Sequence, residues 1–280
     1  NREFSGQLDT AIQIFRNEYP KRFLHQLVSG QLDMDRLDYL SRDSFFSGVS
    51  EGIIGSSRII KMLNLHNGQL VVEAKGIYSI EKFLVARRLM YWQVYLHKTS
   101  VAAEKMLVNI LRRAKELASR GEDLFGSPSL RYFLYNNASK NEFSEKGTAL
   151  KHFVLLDDAD FISALKVWMS HPDTVLSVLC TSFINRRLFK VEIKPEKSTA
   201  EELAGWEERY SAHFGIGMEE ARYFMADETV TTDTYSSDDD TINILMKDGS
   251  IRDIAEASDM LNITVLTRKV QKHYFCYFKL

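Results

Sequence analysis

Residues 30–43 of this 280-residue chain read GQLDMDRLDYLSRD. The leucine, methionine and tyrosine content favours a helix that begins near Met34. In such a helix Asp35, Tyr39 and Asp43 are spaced by four residues, and each step of four turns by only about 40°. All three side chains therefore lie along one stripe. Two carboxylates and a phenol are costly to bury, so the stripe faces water or holds a ligand or metal.

The same stripe has a simpler interpretation. Asp38 and Arg42 are four residues apart, as in the ion pairs of a solvated helix face. Such pairs stabilise a helix only slightly. Composition alone favours this solvated face.

A second stripe lies in the stretch from Ile77 to Ser119, which predicts one long helix or two in near continuity. Arg87, Tyr91 and Tyr95 again follow a spacing of four. An arginine binds phosphate oxygens through its fork, and a tyrosine packs flat against a sugar or base while its hydroxyl donates. The two stripes together suit a phosphorylated ligand that carries a ring. The alternative is that the tyrosines belong to the core and the arginine extends to the surface.

Both stretches resemble the HD-domain phosphohydrolases, and among them the deoxynucleoside triphosphate triphosphohydrolases. The pattern D-x-D-x-x-D-Y-x-x-R-D runs without a gap from Asp33 to Asp43, and R-x-x-x-Y-x-x-x-Y-x-H-K runs from Arg87 to Lys98. The resemblance covers roughly residues 23–190. It implies a helical HD-type body that hydrolyses a deoxynucleoside triphosphate (dNTP) to the deoxynucleoside and triphosphate, or acts on another phosphoester.

The resemblance implies a divalent metal ion with Asp35 as a ligand, and it does not distinguish Mg, Mn, Fe, Ni or Zn. Arg36 matches a basic residue that lies against the triphosphate. The family also uses a histidine and then a His-Asp pair upstream, whereas only His25 precedes Asp35 and no histidine of this chain is followed by aspartate. We therefore expect the segment with this pair to be absent from the chain and identify no catalytic residue in it. Asp35 alone cannot hold a catalytic ion, because such sites use three or four protein ligands.

The resemblance also implies substrate contacts. Tyr39 and Asp43 match positions that contact substrate, with Asp43 and Arg87 toward the phosphates. Tyr95 matches the aromatic residue that packs against the deoxyribose and leaves no room for a 2′-hydroxyl. Tyr91 matches a position near the substrate whose residue varies across the family.

Composition and cysteine content restrict the partners and the compartment. With 36 basic and 38 acidic residues the net charge is −2, and no basic excess favours nucleic-acid binding. The two cysteines form no metal or disulfide pattern, which indicates a reducing, cytoplasmic location. No apolar run approaches the length of a membrane span.

The sequence predicts two domains and a mostly α fold. Residues 1–194 are predicted to be the C-terminal part of an HD-type helical domain that includes a strand at residues 69–74. Residues 195–280, in which a helix precedes alternating strands, are predicted to form a small α+β domain. The aromatic C-terminus predicts a buried strand or a subunit contact, and the family resemblance implies a homo-oligomer.

The sequence is compatible with two function classes. The first is a metal-dependent phosphohydrolase that acts on dNTPs. The second is a non-catalytic nucleotide-binding or oligomeric scaffold module with a degenerate HD site.

Overall fold

The computed structural model describes residues 1, 3–144, 147–232, 235, 241–259 and 270–280. Contacts group the chain into two compact units. Unit 1 contains residues 1–97 and 231–271, and unit 2 contains residues 98–230 and 272–280. Each unit has its own hydrophobic core.

Helices dominate the described residues, which confirms the prediction of a mostly α chain with a smaller α+β part. The α-helices of unit 1 are α1 (Asp9–Phe15), α2 (Arg22–Ser29), α3 (Met34–Ser47), α4 (Ser56–Met62), α5 (Ile77–Met90) and α13 (Ile254–Ala257). Those of unit 2 are α6 (Lys98–Ser119), α7 (Pro128–Tyr135), α8 (Thr148–Phe153), α9 (Asp158–Trp168), α10 (Thr174–Ile184), α11 (Ala200–Phe214) and α12 (Met218–Ala221). Within the described ranges, no helix combines the length and apolar character that crossing a bilayer requires.

The sheet of unit 1 has four strands in the order β1-β2-β5-β6. These strands are β1 (Leu63–His66), β2 (Gln69–Glu73), β5 (Asn243–Leu245) and β6 (Ile251–Asp253). β1 and β2 form an antiparallel hairpin. The turn residues Asn67 and Gly68 both have positive φ, of 50° and 77°, as the tightest hairpin turns require. β5 is parallel to β2 and antiparallel to β6.

Helices α3 and α5 contribute many of the buried residues of unit 1. α3 buries Leu37 and Leu40, while α5 buries Phe83 and Leu84 among others. These side chains belong to the same core cluster as residues of the sheet. α3 is thus fixed by one face, and its opposite face is left for polar side chains.

Unit 2 packs its helices against a three-stranded sheet in the order β3-β7-β4. These strands are β3 (Lys190–Lys194), β4 (Met225–Thr232) and β7 (Val270–Tyr277). The buried residue Arg113 of α6 forms ion pairs with Glu116, Asp173 and Glu220. A cation taken out of water requires such partners, and these join α6 to α10 and α12.

The two units do not follow the boundary predicted at residue 194. In unit 1 β5 pairs with β2, and in unit 2 β7 pairs with β3, so each sheet combines residues from both sides of that boundary. Strand pairs between distant segments are set by tertiary packing, which local patterns do not report. That residues 1–194 and 195–280 fold as separate domains stays a prediction.

Candidate functional site

A cleft of about 510 Å³ in unit 1 brings the two predicted stripes together. Residues of α3 form one side, and the segment that follows α5 forms the other. Its lining consists of Asp33, Asp35, Arg36, Tyr39, Asp43, Tyr91 and Tyr95. The cleft thus contains every predicted site residue except Arg87, which lies beside it.

The two stripes are joined by a hydrogen bond between their last members. The Tyr95 hydroxyl donates to Oδ2 of Asp43 over 2.6 Å. Burial, followed by this hydrogen bond, raises the pKa of Tyr95 far above its ordinary value. The rings of Tyr39 and Tyr91 lie edge-on to that of Tyr95, with centroids at 6.1 and 5.2 Å. Tyr95 is therefore a neutral donor held between two other phenols.

The segment Tyr91–Tyr95 is a π-helix between α5 and the start of α6. Its widened turn is marked by the hydrogen bond from the Leu96 N–H to the Tyr91 carbonyl oxygen, five residues earlier, over 2.7 Å. Of the two possibilities predicted for this stretch, one long helix or two in near continuity, the structure has the second, with a π-helical turn between α5 and α6. Such turns are frequent at functional sites. Here the turn keeps the Tyr91 and Tyr95 rings on the same side of the segment.

Arg87 lies beside the cleft, in the last turn of α5. Its Nη1 donates to Oε1 of Gln31 over 3.1 Å, and its Cζ is 5.9 Å from the centroid of the Tyr91 ring. The charge of Arg87 counteracts part of the rise in the pKa of Tyr39 that burial causes. The Arg87 Nε is buried and has no hydrogen-bond partner among the residues that the structure describes.

Arg36 is held more tightly than Arg87. Its Nη1 donates both to the Asp33 carboxylate and to the Gly30 carbonyl oxygen. Asp33 also caps α3, because its Oδ1 accepts from the Arg36 N–H over 2.8 Å. Burial raises the pKa of Asp33 against the opposing effect of these contacts. One guanidinium nitrogen of Arg36 is thus already occupied by the protein.

The residues of the cleft do not form a metal site. Asp35 is exposed in the first turn of α3, and the Asp33 carboxylate is committed to the helix cap and to Arg36. His25 directs its Nδ1 to the carbonyl oxygen of Ile14 over 3.0 Å. No group of three or more His, Cys, Asp or Glu side chains suited to a metal occurs in the part of the chain that the structure describes. Asp35 is therefore a single candidate ligand without partners here.

Gln31 is a contact residue that sequence reasoning did not identify. It lies in the loop between α2 and α3, two residues before the first aspartate of the motif. A lone amide in a loop belongs to no helical stripe, so spacing could not reveal it. Its position directly before a motif rich in charged residues was the one available signal.

Comparisons with known proteins agree with this architecture. The sequence model of the HD associated region matches residues 54–124. The crystal structure of a phosphohydrolase from Bacteroides thetaiotaomicron superposes with a TM-score of 0.94 at 58% identity, over 100% of this chain and 69% of that one.

Two curated relatives extend the comparison. The uncharacterised Bacillus subtilis protein YwfO is 30% identical over 271 residues, which are 94% of this chain and 60% of the relative. The deoxynucleoside triphosphate triphosphohydrolase SAMHD1 homolog of Dictyostelium discoideum is 25% identical over 107 residues, 37% of this chain and 21% of the relative. This chain thus spans less than two thirds of the length of either relative.

Proposed function

Because the chain belongs to the HD-domain phosphohydrolase family, we propose that the complete protein hydrolyses deoxynucleoside triphosphates to the deoxynucleoside and inorganic triphosphate. The proposal rests on one observation, the convergence of the two motifs on a single cleft with Arg87 beside it. The name of the Dictyostelium relative supports dNTPs as the substrate class.

The chemistry of the cleft supports a nucleotide as ligand. Arg87 would bind phosphate oxygens through its guanidinium, which lies next to the cleft residue Tyr91 and forms charge-assisted bonds with anions. Its buried Nε has no partner among the described residues, so the guanidinium keeps unused donor capacity. Tyr95 and Tyr91 would pack against the sugar with their ring faces or edges. Asp43 fixes the Tyr95 hydroxyl, so the ring keeps one orientation when the ligand binds.

The divalent metal ion of this proposal needs more ligands than the described residues offer. Asp35 would contribute one carboxylate oxygen in the complete protein, as the family resemblance implies. The residues of the cleft would bind and orient the nucleotide, and the positive charge of Arg87 beside them would attract its anionic phosphates.

The alternative is a module that binds nucleotide without turning it over. It is favoured by the single exposed carboxylate of Asp35 and by the commitment of Asp33 to Arg36. The same cleft would then serve as an effector site or as part of an oligomeric scaffold.

One assay separates these functions. The full-length protein is incubated with each dNTP and the matching ribonucleotide in Mn²⁺ or Mg²⁺, and inorganic triphosphate and deoxynucleoside are quantified by ion-exchange chromatography. Release of both from dNTPs supports the hydrolase. Nucleotide binding in calorimetry without turnover supports the module, and neither binding nor turnover removes both.

We also propose a homo-oligomer in a cytoplasmic, reducing environment, without nucleic-acid or membrane partners. Phe45 and Phe46, at the C-terminal end of α3, are 80% and 78% exposed. Large apolar side chains exposed side by side are typical of protein contacts. Light scattering of the full-length protein and of Phe45→Ser would test whether this end of α3 lies in a subunit contact.

A further inference from the structure

The loop of residues 30–33 holds both arginines of the candidate site. Its Gly30 carbonyl oxygen and Asp33 carboxylate accept from Nη1 of Arg36, and its Gln31 side-chain oxygen accepts from Nη1 of Arg87. Four consecutive residues therefore orient two guanidinium groups, one from α3 and one from α5.

The two arginines differ in whether a carboxylate pairs with their charge. Arg36 faces a carboxylate, so the pair has no net charge. Arg87 faces a neutral amide and the ring of Tyr91. The Asp33 carboxylate acts on it electrostatically as well as on Arg36, but Arg87 forms no ion pair with an acidic residue that the structure describes. An amide accepts the same hydrogen bond as a carboxylate would, but it leaves the charge of the arginine intact.

We propose that Gln31 is a positioning residue that fixes the Arg87 guanidinium while leaving its charge uncompensated, so that Arg87 rather than Arg36 supplies the net positive charge for an oligophosphate in the cleft. This inference rests on the proposed nucleotide function and deepens it. In this inference Arg36 mainly stabilises the start of α3, whereas Arg87 binds the ligand.

The unpartnered Nε of Arg87 fits this assignment. A buried donor without an acceptor is rare in folded proteins because its desolvation is not compensated. A carboxylate at position 31 would add a negative charge beside the guanidinium, and phosphate would then compete with a fixed anion. The amide of Gln31 avoids that competition.

Two substitutions at position 31 separate a charge-setting role from a purely structural one. Gln31→Glu keeps an acceptor for Arg87 but neutralises it, whereas Gln31→Met removes the acceptor and keeps the charge. The affinity of the full-length protein for inorganic triphosphate is measured by calorimetry at fixed Mg²⁺ and ionic strength. We expect Gln31→Glu to bind at least about tenfold more weakly than wild type and Gln31→Met only about two- to threefold more weakly.

A third substitution tests the role of Asp33, the residue of the loop that pairs with Arg36. Asp33→Asn keeps a side chain that caps helices as well as aspartate does, but it removes the negative charge that pairs with Arg36 and that also acts on Arg87. We expect about two- to fivefold tighter triphosphate binding in this variant. Circular dichroism of all three variants checks that the helical content is kept, and Asp33→Asn supplies the comparison even where a position 31 variant folds poorly.

The outcomes distinguish this inference from the function it rests on. Gln31→Met weaker than Gln31→Glu would show that the residue acts only through its hydrogen bond, and the inference would be overturned. Equal binding by wild type and all variants would also overturn it and leave the nucleotide function standing. A wild-type protein that binds neither inorganic triphosphate nor any dNTP would overturn both.

Discussion

The Tyr95 hydroxyl donates a 2.6 Å hydrogen bond to the Asp43 carboxylate, and 52 residues separate the two in sequence. Asp43 is the last residue of the first motif, and Tyr95 lies near the end of the second. The bond thus ties the two motifs together at one end of the cleft. Hydrogen bonds from a hydroxyl to a carboxylate belong to the stronger, charge-assisted kind. It fixes the ring orientation on which the proposed sugar contact depends.

The first prediction concerns sugar selection by Tyr95. Tyr95→Ala removes the ring, so room for a 2′-hydroxyl becomes available, and the ratio of the Kd values for ATP and dATP should fall toward one. Tyr95→Phe keeps the ring and loses only the bond to Asp43, so most of the preference for dATP should remain. Calorimetric titration of both nucleotides measures the ratio. An unchanged ratio in Tyr95→Ala would contradict the sugar contact.

The second prediction concerns the phosphate contact of Arg87. Arg87→Ala should weaken dNTP binding by about 1.5–3 kcal/mol, because a charge-assisted hydrogen bond is lost. Binding of the free deoxynucleoside should change little, since it carries no phosphate. Arg42→Ala serves as the control, because Arg42 pairs with Asp38 on the exposed face of α3. Equal losses for nucleotide and nucleoside would argue against a phosphate contact.

The third prediction concerns Asp35 in the complete protein. Asp35→Asn should reduce bound divalent metal and abolish turnover while the helical circular dichroism signal stays the same. Asp38→Asn, on the same helix but in an exposed ion pair, should keep metal and activity. Metal content by mass spectrometry and triphosphate release are measured for both variants. Activity in Asp35→Asn would remove this residue from the metal site.

The fourth prediction concerns the acid stability of unit 2. Burial alone would raise the pKa of Asp173, but the hydrogen bonds from Arg113 and from the Leu176 N–H outweigh it, and the pKa lies below its ordinary value. A carboxyl whose folded-state pKa is depressed stabilises the fold above its unfolded pKa, about 3.9, and loses that contribution as the pH falls through the folded pKa. The free energy of unfolding should therefore decrease below about pH 4.

Asp173→Asn tests this contribution because asparagine still caps α10. At pH 7 the variant should be less stable by about 1–3 kcal/mol, and its stability should fall less between pH 4 and pH 3. Urea unfolding at a series of pH values measures both effects. Asp123→Asn is the control, since Asp123 is exposed and an ion pair at the surface, such as its pair with Arg131, contributes little to stability. Parallel pH profiles for wild type and Asp173→Asn would contradict the assignment.

Helical periodicity predicted the parts of the site that lie on helices. The stripe of Asp35, Tyr39 and Asp43 depends only on the 3.6-residue repeat, and α3 indeed extends over all three. The strand predicted at residues 69–74 is present as β2, but its partner β5 is about 170 residues away and no local pattern identifies it. The π-helical turn at Tyr91 was not predicted either, since it changes the backbone hydrogen bonds while the side-chain pattern stays helical.

For Arg36, the sequence predicted the position of a basic residue but not the partners of its side chain. The sequence placed a basic residue at the right position of the motif, yet its Nη1 bonds to Asp33 and Gly30. Which partner an arginine selects depends on loop geometry before the helix, and composition does not report that geometry. The contact between the Gln31 amide and Arg87 was not predicted, for the same reason.

Helix α3 begins at the cleft, with Asp33 as its cap and Asp35 in its first turn. The aligned peptide dipoles of a helix place about half a positive charge at this end. That partial charge attracts phosphate oxygens and opposes the approach of a metal cation, so Asp35 starts at a disadvantage as a lone ligand. The cation would therefore enter most favourably when it is already bound to the oligophosphate, whose negative charge offsets the unfavourable field that the cation meets.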